Sequence, residues 1–296
     1  MDGVKNMYSI TLEPTSRCTL ACPRCARTTL LDKFGTQGLT IADLNPASIK
    51  NFFDLPVEYF YLGGTYGDPI LHPKLDQLVA SCKTHAPRVV INTSGSGRNK
   101  AWWEQFLDCL GPDDTVEFAV DGLPENFTQY RINAKWDQIE TAIKLCAGRV
   151  KTIWKYIPFS FNEHDVASAK QLSQDLGIDQ FNIEPSDRWL DNDWLKPKQF
   201  TGPKEITKEN YKQVKTISPK CSNYRNQYIS AQGHFLPCCF VHDYRFYYKS
   251  DWWKNRDKYD ISKTTFSECI RHFDKFYSTI KQVKPDYCVY NCGKCE

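Results

Sequence analysis

Cys18, Cys22 and Cys25 form a C-x3-C-x2-C array within the stretch EPTSRCTLACPRCAR, residues 13–27. Thiolates are soft ligands, and three on one short loop can hold three corners of a [4Fe–4S] cluster while the fourth iron keeps no protein ligand. Such an open iron can chelate a small molecule through an amine and a carboxylate; a closed four-cysteine site has no position for one. The same thiols could instead serve a zinc site completed by a distant residue. A second group, Cys221, Cys238, Cys239, Cys288, Cys292 and Cys295, crowds the last quarter of the chain. Cys82, Cys109, Cys146 and Cys269 stand alone, and the first three fall in helical-looking segments where buried small hydrophobes are expected.

The elements that must position the triad recur along the first two thirds of the sequence. Strand patterns run over YSITLE (8–13), EYFYLGG (58–64), RVVINTS (88–94), TVEFAVDG (115–122), VKTIWKYI (150–157) and QFNIEP (180–185), each bounded by turn-forming residues. Between them, PASIKNFFD, PKLDQLVASCKTH, KAWWEQFLDCL, WDQIETAIKLCA and EHDVASAKQLSQDLG carry apolar residues at helical spacing. Alternating strands and helices predict parallel βαβ units, wound as an open sheet or as a complete or partial barrel. In either case ligands gather at the C-terminal ends of the strands, and the triad directly follows the first strand.

Thirteen cysteines, an odd number, argue for metal ligation in a reducing compartment rather than for a disulfide framework. The first residues, MDGVKNMYSITLEP, lack a basic segment followed by an apolar one, so a cytoplasmic location is expected. A net charge of +3 is too small to call for nucleic acid or an anionic membrane as partner, and no apolar run is long enough to span a bilayer. The stretch DYRFYYKSDWWKNRDKYD, 243–260, interleaves aromatic and basic residues as single-strand binders do. Asp243, Asp251, Asp257 and Asp260 dilute it, and the preferred reading is a loop packing its aromatics on the barrel.

With the triad placed after the first strand of a βα repeat, the chain resembles the radical S-adenosylmethionine (radical SAM) enzymes. The resemblance implies a partial (β/α)6 TIM-type barrel over 1–190 whose [4Fe–4S] cluster is held by Cys18, Cys22 and Cys25. In that family the open iron binds the methionine amine and carboxylate, and an electron from the cluster cleaves the sulfonium bond. The 5′-deoxyadenosyl radical then abstracts a substrate hydrogen atom. GGTYGDP resembles the segment that contacts the methionine amine, with Gly67, Asp68 and Pro69 as its last residues. NTSGSG resembles the ribose-contacting segment and nominates Thr93 and Ser94, and the Asp-Gly segment after the fourth strand nominates Asp121 and Arg131. WKYIPFSFNEHD would place Lys155 and Asn162 near the barrel mouth, with Lys155 as a further cofactor contact. Arg24 stands where many family members carry an aromatic residue beside the adenine.

The C-terminal part resembles the auxiliary-cluster extension called SPASM or, when shortened, twitch. The full module's central C-x2-C-x5-C-x3-C run is absent, so one auxiliary [4Fe–4S] cluster is expected within 221–296, after a connector over 191–220. The preferred ligands are Cys221, Cys238, Cys292 and Cys295, with Cys288 as substitute and Cys239 as a rival to Cys238; a zinc knuckle from the same thiols is the alternative. GHFLPC reads as a small hairpin carrying Cys238. The implied function is an oxidoreductase or maturase-type radical SAM enzyme. It would use S-adenosyl-L-methionine and a flavodoxin- or ferredoxin-type one-electron reductant, acting on a small molecule or a peptide. RNA is a further alternative substrate, and a zinc-stabilised binding protein without catalysis is the rival from another class.

Overall fold

Six strands build the sheet that the sequence pattern predicts: β1 (Tyr8–Leu12), β2 (Val57–Leu62), β3 (Val89–Thr93), β4 (Thr115–Ala119), β5 (Lys151–Tyr156) and β6 (Gln180–Ile183). All are parallel and ordered by sequence, β6-β5-β4-β3-β2-β1. The computed structural model describes residues 8–186, 189, 193–200, 206, 211–219, 221 and 225–295; for 225, 226, 294 and 295 it describes the backbone alone. Of the expected connector, 191–220, residues 193–200, 206 and 211–219 are described and the others lie outside the described residues.

Helices α1 (Ala26–Phe34), α2 (Pro46–Phe52), α3 (Leu75–Lys83), α4 (Lys100–Leu107), α5 (Trp136–Cys146) and α6 (Val166–Asp175) connect the strands. Each parallel strand needs such a crossover, and the helices bury one apolar stripe against one face of the sheet. On α5 that stripe is Ile139, Ala142, Ile143 and Cys146; on α3 it is Leu75, Leu78, Val79 and Cys82. Cys82 and Cys146 are thus core residues, whereas Cys109 falls just past α4 and is only half-buried. Side chains alternate along a strand, so the opposite face of the sheet carries Tyr61, Asn92, Glu117 and Lys155, which form the polar lumen.

The C-terminal region adds β7 (Val214–Ile217), β8 (Arg225–Ile229), β9 (Phe235–Leu236), α7 (Asp251–Lys254), α8 (Phe266–Val283), α9 (Asp286–Cys292) and β10 (Gly293–Cys295). β8 and β9 form the expected hairpin, turning at Gly233 with φ +83°, a conformation glycine adopts without a Cβ clash. The hairpin does not stand apart. β8 pairs in parallel with β1, so the main sheet continues into the C-terminal region and β1 is an interior strand. The aromatic-basic stretch forms short helical turns rather than a loop. Its Trp252 packs edge-on to Phe273 and Phe276 of α8, and Tyr247 is fully buried. Among the described residues no helix is long and apolar enough to cross a membrane.

Candidate active site

The loop after β1 is held at both flanks before it presents its thiols. Thr15 Oγ1 donates to Asp43 Oδ1 at 2.6 Å, and Arg17 grips the same carboxylate through Nε and a second nitrogen. Ala21 N donates to Ile132 O at 3.2 Å, which ties the loop to the segment after β4. Arg24, between the last two cysteines, has φ +66° and turns the chain into α1, whose first turn begins at Cys25. The thiols of Cys18, Cys22 and Cys25 lie within electrostatic reach of one another, and none is in a disulfide. Burial, then the charge of Asp68, pushes the Cys18 thiol up to about 12, so ligation there would have to displace a proton.

This donor set fits a cluster. Three thiols on one loop feel one another's charge, and Leu20 N donates to Cys18 Sγ at 3.4 Å. Among the described residues no three His, Cys, Asp or Glu side chains stand close enough to hold a single metal ion. In a multi-iron cluster each thiolate sits on its own iron, so a more widely spread set of thiols suits that group.

The loop after β2 is pressed against the cysteine loop. Asp68 N donates to Arg17 O at 2.8 Å, and a Cβ on Gly67 would lie 1.8 Å from the carbonyl oxygen of Thr15. Only glycine permits that approach. Asp68 then reaches across to β3. Its Oδ1 accepts from Thr93 Oγ1 at 2.7 Å and Ile70 N at 3.3 Å, and its Oδ2 accepts from Ser94 N at 2.9 Å and Ser94 Oγ at 2.7 Å. A carboxylate has about four lone-pair positions, and in this conformation the protein's own donors fill them. Asp68, Thr93 and Ser94, nominated separately from sequence, therefore form one buried knot beside Cys18. Pro69 opens the short turn Pro69–Leu71 and is buried.

Asp121 lies within charge reach of Cys22, as Asp68 does of Cys18. It is fully buried, binds Arg131 at 2.7 Å and accepts from Ile157 N at 2.8 Å. Arg131 in turn donates to the Cys22 thiol, which burial raises and Arg131 lowers. Burial disfavours the Arg131 charge, but Asp121 together with Cys22 and Tyr130 outweighs it and keeps the guanidinium charged. Lys155 belongs elsewhere, to the lumen group. It sits 3.0 Å from Glu184 and 3.4 Å from Glu117, whose Oε2 also accepts from Tyr61 at 2.8 Å and Asn92 at 3.1 Å. Burial disfavours the Lys155 charge, but the charges of Glu117 and Glu184 outweigh it and raise its pKa. Asn162, expected near the mouth, is buried; its amide accepts from Phe159 N and donates to Ile157 O, shaping the loop after β5.

A cavity of about 270 Å³ opens against the cysteine loop, lined by Arg24, Tyr130, Ile157, Phe159, Glu184 and Trp189 among others. Tyr130 and Phe159 face each other at 4.3 Å between ring centroids, and Trp189 stands edge-on to Phe159 at 5.7 Å. Arg24 is drawn aside by Asp193 at 2.9 Å. The aromatic walls escaped the sequence reading because Tyr130, Phe159 and Trp189 share no motif; they meet only through the loops after β4, β5 and β6. Glu13 was also missed. It is fully buried at the end of β1 and accepts from Tyr66 N at 2.6 Å and Tyr228 Oη at 2.7 Å.

Four of the second cysteine group, Cys221, Cys238, Cys288 and Cys292, lie near one another. Cys238, just past β9, shares a hydrogen bond with Cys221, and both affect the Tyr287 phenol, as Cys288 does. Cys288 and Cys292 lie one turn apart on α9 and sense each other's charge. Cys239 lies instead within reach of Tyr228, on the barrel side. The Cys295 side chain is outside the described residues; its backbone lies on β10, which pairs with β7.

The model of the radical SAM superfamily matches residues 12–169, more than half of the chain, from the end of β1 into α6. Among solved structures, Streptococcus suis SuiB bound to S-adenosylmethionine superposes with a TM-score of 0.58 at 12% identity, over 98% of this chain and 73% of that one. SuiB bound to its precursor peptide SuiA gives 0.60 at 13% identity, over 93% and 67%. Native anSMEcpe with bound AdoMet and Kp18Cys peptide gives 0.55 at 12% identity, over 88% and 79%. Identities this low show a shared fold. No curated protein sequence matches the chain. The parallel sheet, the thiol array after its first strand and the matched segment that contains both lead to one conclusion: this chain belongs to the radical SAM superfamily.

Proposed function

We propose that the chain is a radical SAM enzyme with an auxiliary iron–sulfur cluster, oxidising or cross-linking a peptide side chain. The observation that carries the reading is the meeting of three separate elements at one sheet edge. The triad loop, the Gly63–Pro69 loop and the end of β3 are joined there through Asp68. When bound at Cys18, Cys22 and Cys25, a [4Fe–4S] cluster supplies the electron that cleaves S-adenosylmethionine to a hydrogen-abstracting 5′-deoxyadenosyl radical.

The chain's own residues prepare that site. Arg131 donates to Cys22, and its charge favours the thiolate. Asp68 fixes Thr93 and Ser94, the candidate ribose contacts, while Gly67 and Pro69 bring backbone against the cofactor. Asp121 acts through Arg131. Tyr130, Phe159 and Trp189 provide the flat apolar walls an adenine needs, in place of an aromatic at position 24, and Arg24 turned toward Asp193 leaves that cavity open. Lys155, with Glu117 and Glu184, stands in the lumen where a substrate would be oriented.

Cys221, Cys238, Cys288 and Cys292 suit the auxiliary cluster, and Cys295 remains the further candidate ligand in the same region. Two structural neighbours hold peptides, which supports a peptide over a small molecule as substrate. The electron would come from a flavodoxin- or ferredoxin-type donor.

Anaerobic purification tests the reading. About eight irons per chain are expected, and replacing Cys18, Cys22 and Cys25 with Ala should leave about four and stop 5′-deoxyadenosine formation. Zinc without iron, or S-adenosylmethionine cleavage unaffected by the triple substitution, would overturn it.

A further inference from the structure

Glu13 is fully buried at the head of the cysteine loop. Its carboxylate collects donors from three parts of the chain. Tyr66 N donates to Oε1 at 2.6 Å, and Thr65 N, from the same Gly63–Pro69 loop, also donates. Ala231 N donates from the turn of the β8–β9 hairpin, and Tyr228 Oη from β8 donates to Oε2 at 2.7 Å. A phenol has one proton, so with Tyr228 committed to Glu13 the 3.2 Å contact between Tyr228 and Thr65 takes its hydrogen from Thr65 Oγ1. That closes a ring: Glu13 binds the loop and the hairpin, and these bind each other.

The neighbourhood is shaped around this carboxylate. A Cβ on Gly64 would lie 3.1 Å from Glu13 Oε1 and 3.2 Å from its Cγ, so the loop wraps the side chain as closely as glycine allows. His242 closes the outer side, with Nδ1 at 3.7 Å from Oε2 and Nε2 at 3.2 Å from Gln232 Oε1. Tyr66 Oη reaches the same C-terminal segment, donating to His242 O at 3.1 Å. The loop itself lies beyond the last residue of β2, so these contacts supply the restraint a strand ladder would otherwise give.

We propose that Glu13 is a positioning residue for the S-adenosylmethionine site. It locks the Gly63–Pro69 loop to the C-terminal hairpin, so that barrel and C-terminal region build that site jointly. The proposal rests on the functional reading above, in which this loop contacts the cofactor.

The test is Glu13→Gln in the full chain with its clusters assembled. Glutamine keeps the size and packing but turns an NH2 group toward N–H and O–H donors that need an acceptor, so at least one buried amide loses its partner. Amide hydrogen exchange at Thr65, Tyr66 and Ala231 should accelerate. The Kd for S-adenosylmethionine should rise about tenfold, with triad iron retained and turnover at saturating cofactor within about twofold of the unsubstituted chain. Tyr228→Phe removes one donor and leaves the three amides, and should raise Kd by a smaller factor of about three. If Glu13→Gln does not fold, Tyr228→Phe alone decides, and an unchanged Kd there overturns the proposal. A Glu13→Gln protein with unchanged exchange and Kd also overturns it, because packing alone would then account for the residue. If the unsubstituted chain fails to bind S-adenosylmethionine, the functional reading falls and the proposal falls with it.

Discussion

Single side chains decide whether the triad is presented as a site. Arg131 bridges the buried Asp121 carboxylate and the Cys22 thiol, so its removal strands Asp121 without a counter-charge. Arg131→Met should cost about 3–5 kcal/mol, because an unpaired buried carboxylate is far more costly than the pair is stabilising. Urea unfolding measures this loss, and iron retained at the triad should fall in parallel. At this scale the sequence was legible where chemistry is rare and local: three thiols within eight residues announce themselves. It was silent on Glu13. An acidic residue at a strand end is common, and the partners that give this one its role, Tyr66 and Tyr228, are 53 and 215 residues away along the chain. Asp68 was legible as a residue of interest but not in its bonding, since its saturation by Thr93 and Ser94 depends on how β2 and β3 align.

Among the elements, the loops rather than the strands carry the specificity. Strands β1 to β6 and helices α2 to α6 formed where period-2 and helical spacing placed them, because those periodicities are local properties of the chain, whereas α1, α8 and α9 were not read from the sequence. The Gly63–Pro69 loop is different, being held by contacts on both sides. Gly67→Ala places a methyl group 1.8 Å from the Thr15 carbonyl and must push the two loops apart. The expected outcome is a loss of about 1–3 kcal/mol and of measurable S-adenosylmethionine binding, read by thermal melting and equilibrium dialysis. Gly111→Ala, where the nearest atoms stand 3.9 Å away, should stay within about 0.5 kcal/mol. Helix α8 is a different case. It was not read as a helix from the sequence, and the fold shows that its buried stripe, Phe266, Cys269, Ile270 and Phe273, covers Phe235 of the hairpin.

The whole molecule is tied together through a buried polar seam, and that seam makes stability depend on pH. His242 is buried among Glu13, Tyr66, Tyr228, Gln232 and His234, and burial lowers its pKa to about 3. An unfolded histidine protonates near 6.5, so between about pH 6.5 and 3 the unfolded chain binds a proton that the folded one refuses. Stability therefore falls as pH drops through that window, by about 1.4 kcal/mol per pH unit for each such histidine once the unfolded form is fully protonated. His72 and His234, also lowered by burial, act in the same direction. Glu13, raised by burial against its hydrogen bonds, acts oppositely just above its ordinary value of 4.5. Urea midpoints measured from pH 7 to 5 should decline, and His242→Gln should make the decline shallower; an identical slope in the variant would remove His242 from this account.

The amino-acid sequence by itself determined the βα alternation, the triad at the end of the first strand, the hairpin before Cys238 and the cysteine-rich close of the chain. Each follows from residues near one another, where backbone periodicity, turn chemistry and ligand spacing act directly. The tertiary structure alone decided that β8 extends the main sheet beside β1, that Cys221, Cys238, Cys288 and Cys292 approach one another while Cys239 turns toward Tyr228, and that aromatic residues from three loops wall one cavity. These are pairings between distant segments. Which partner a buried carboxylate, thiol or ring meets depends on strand order and register, and no local pattern in the chain encodes them.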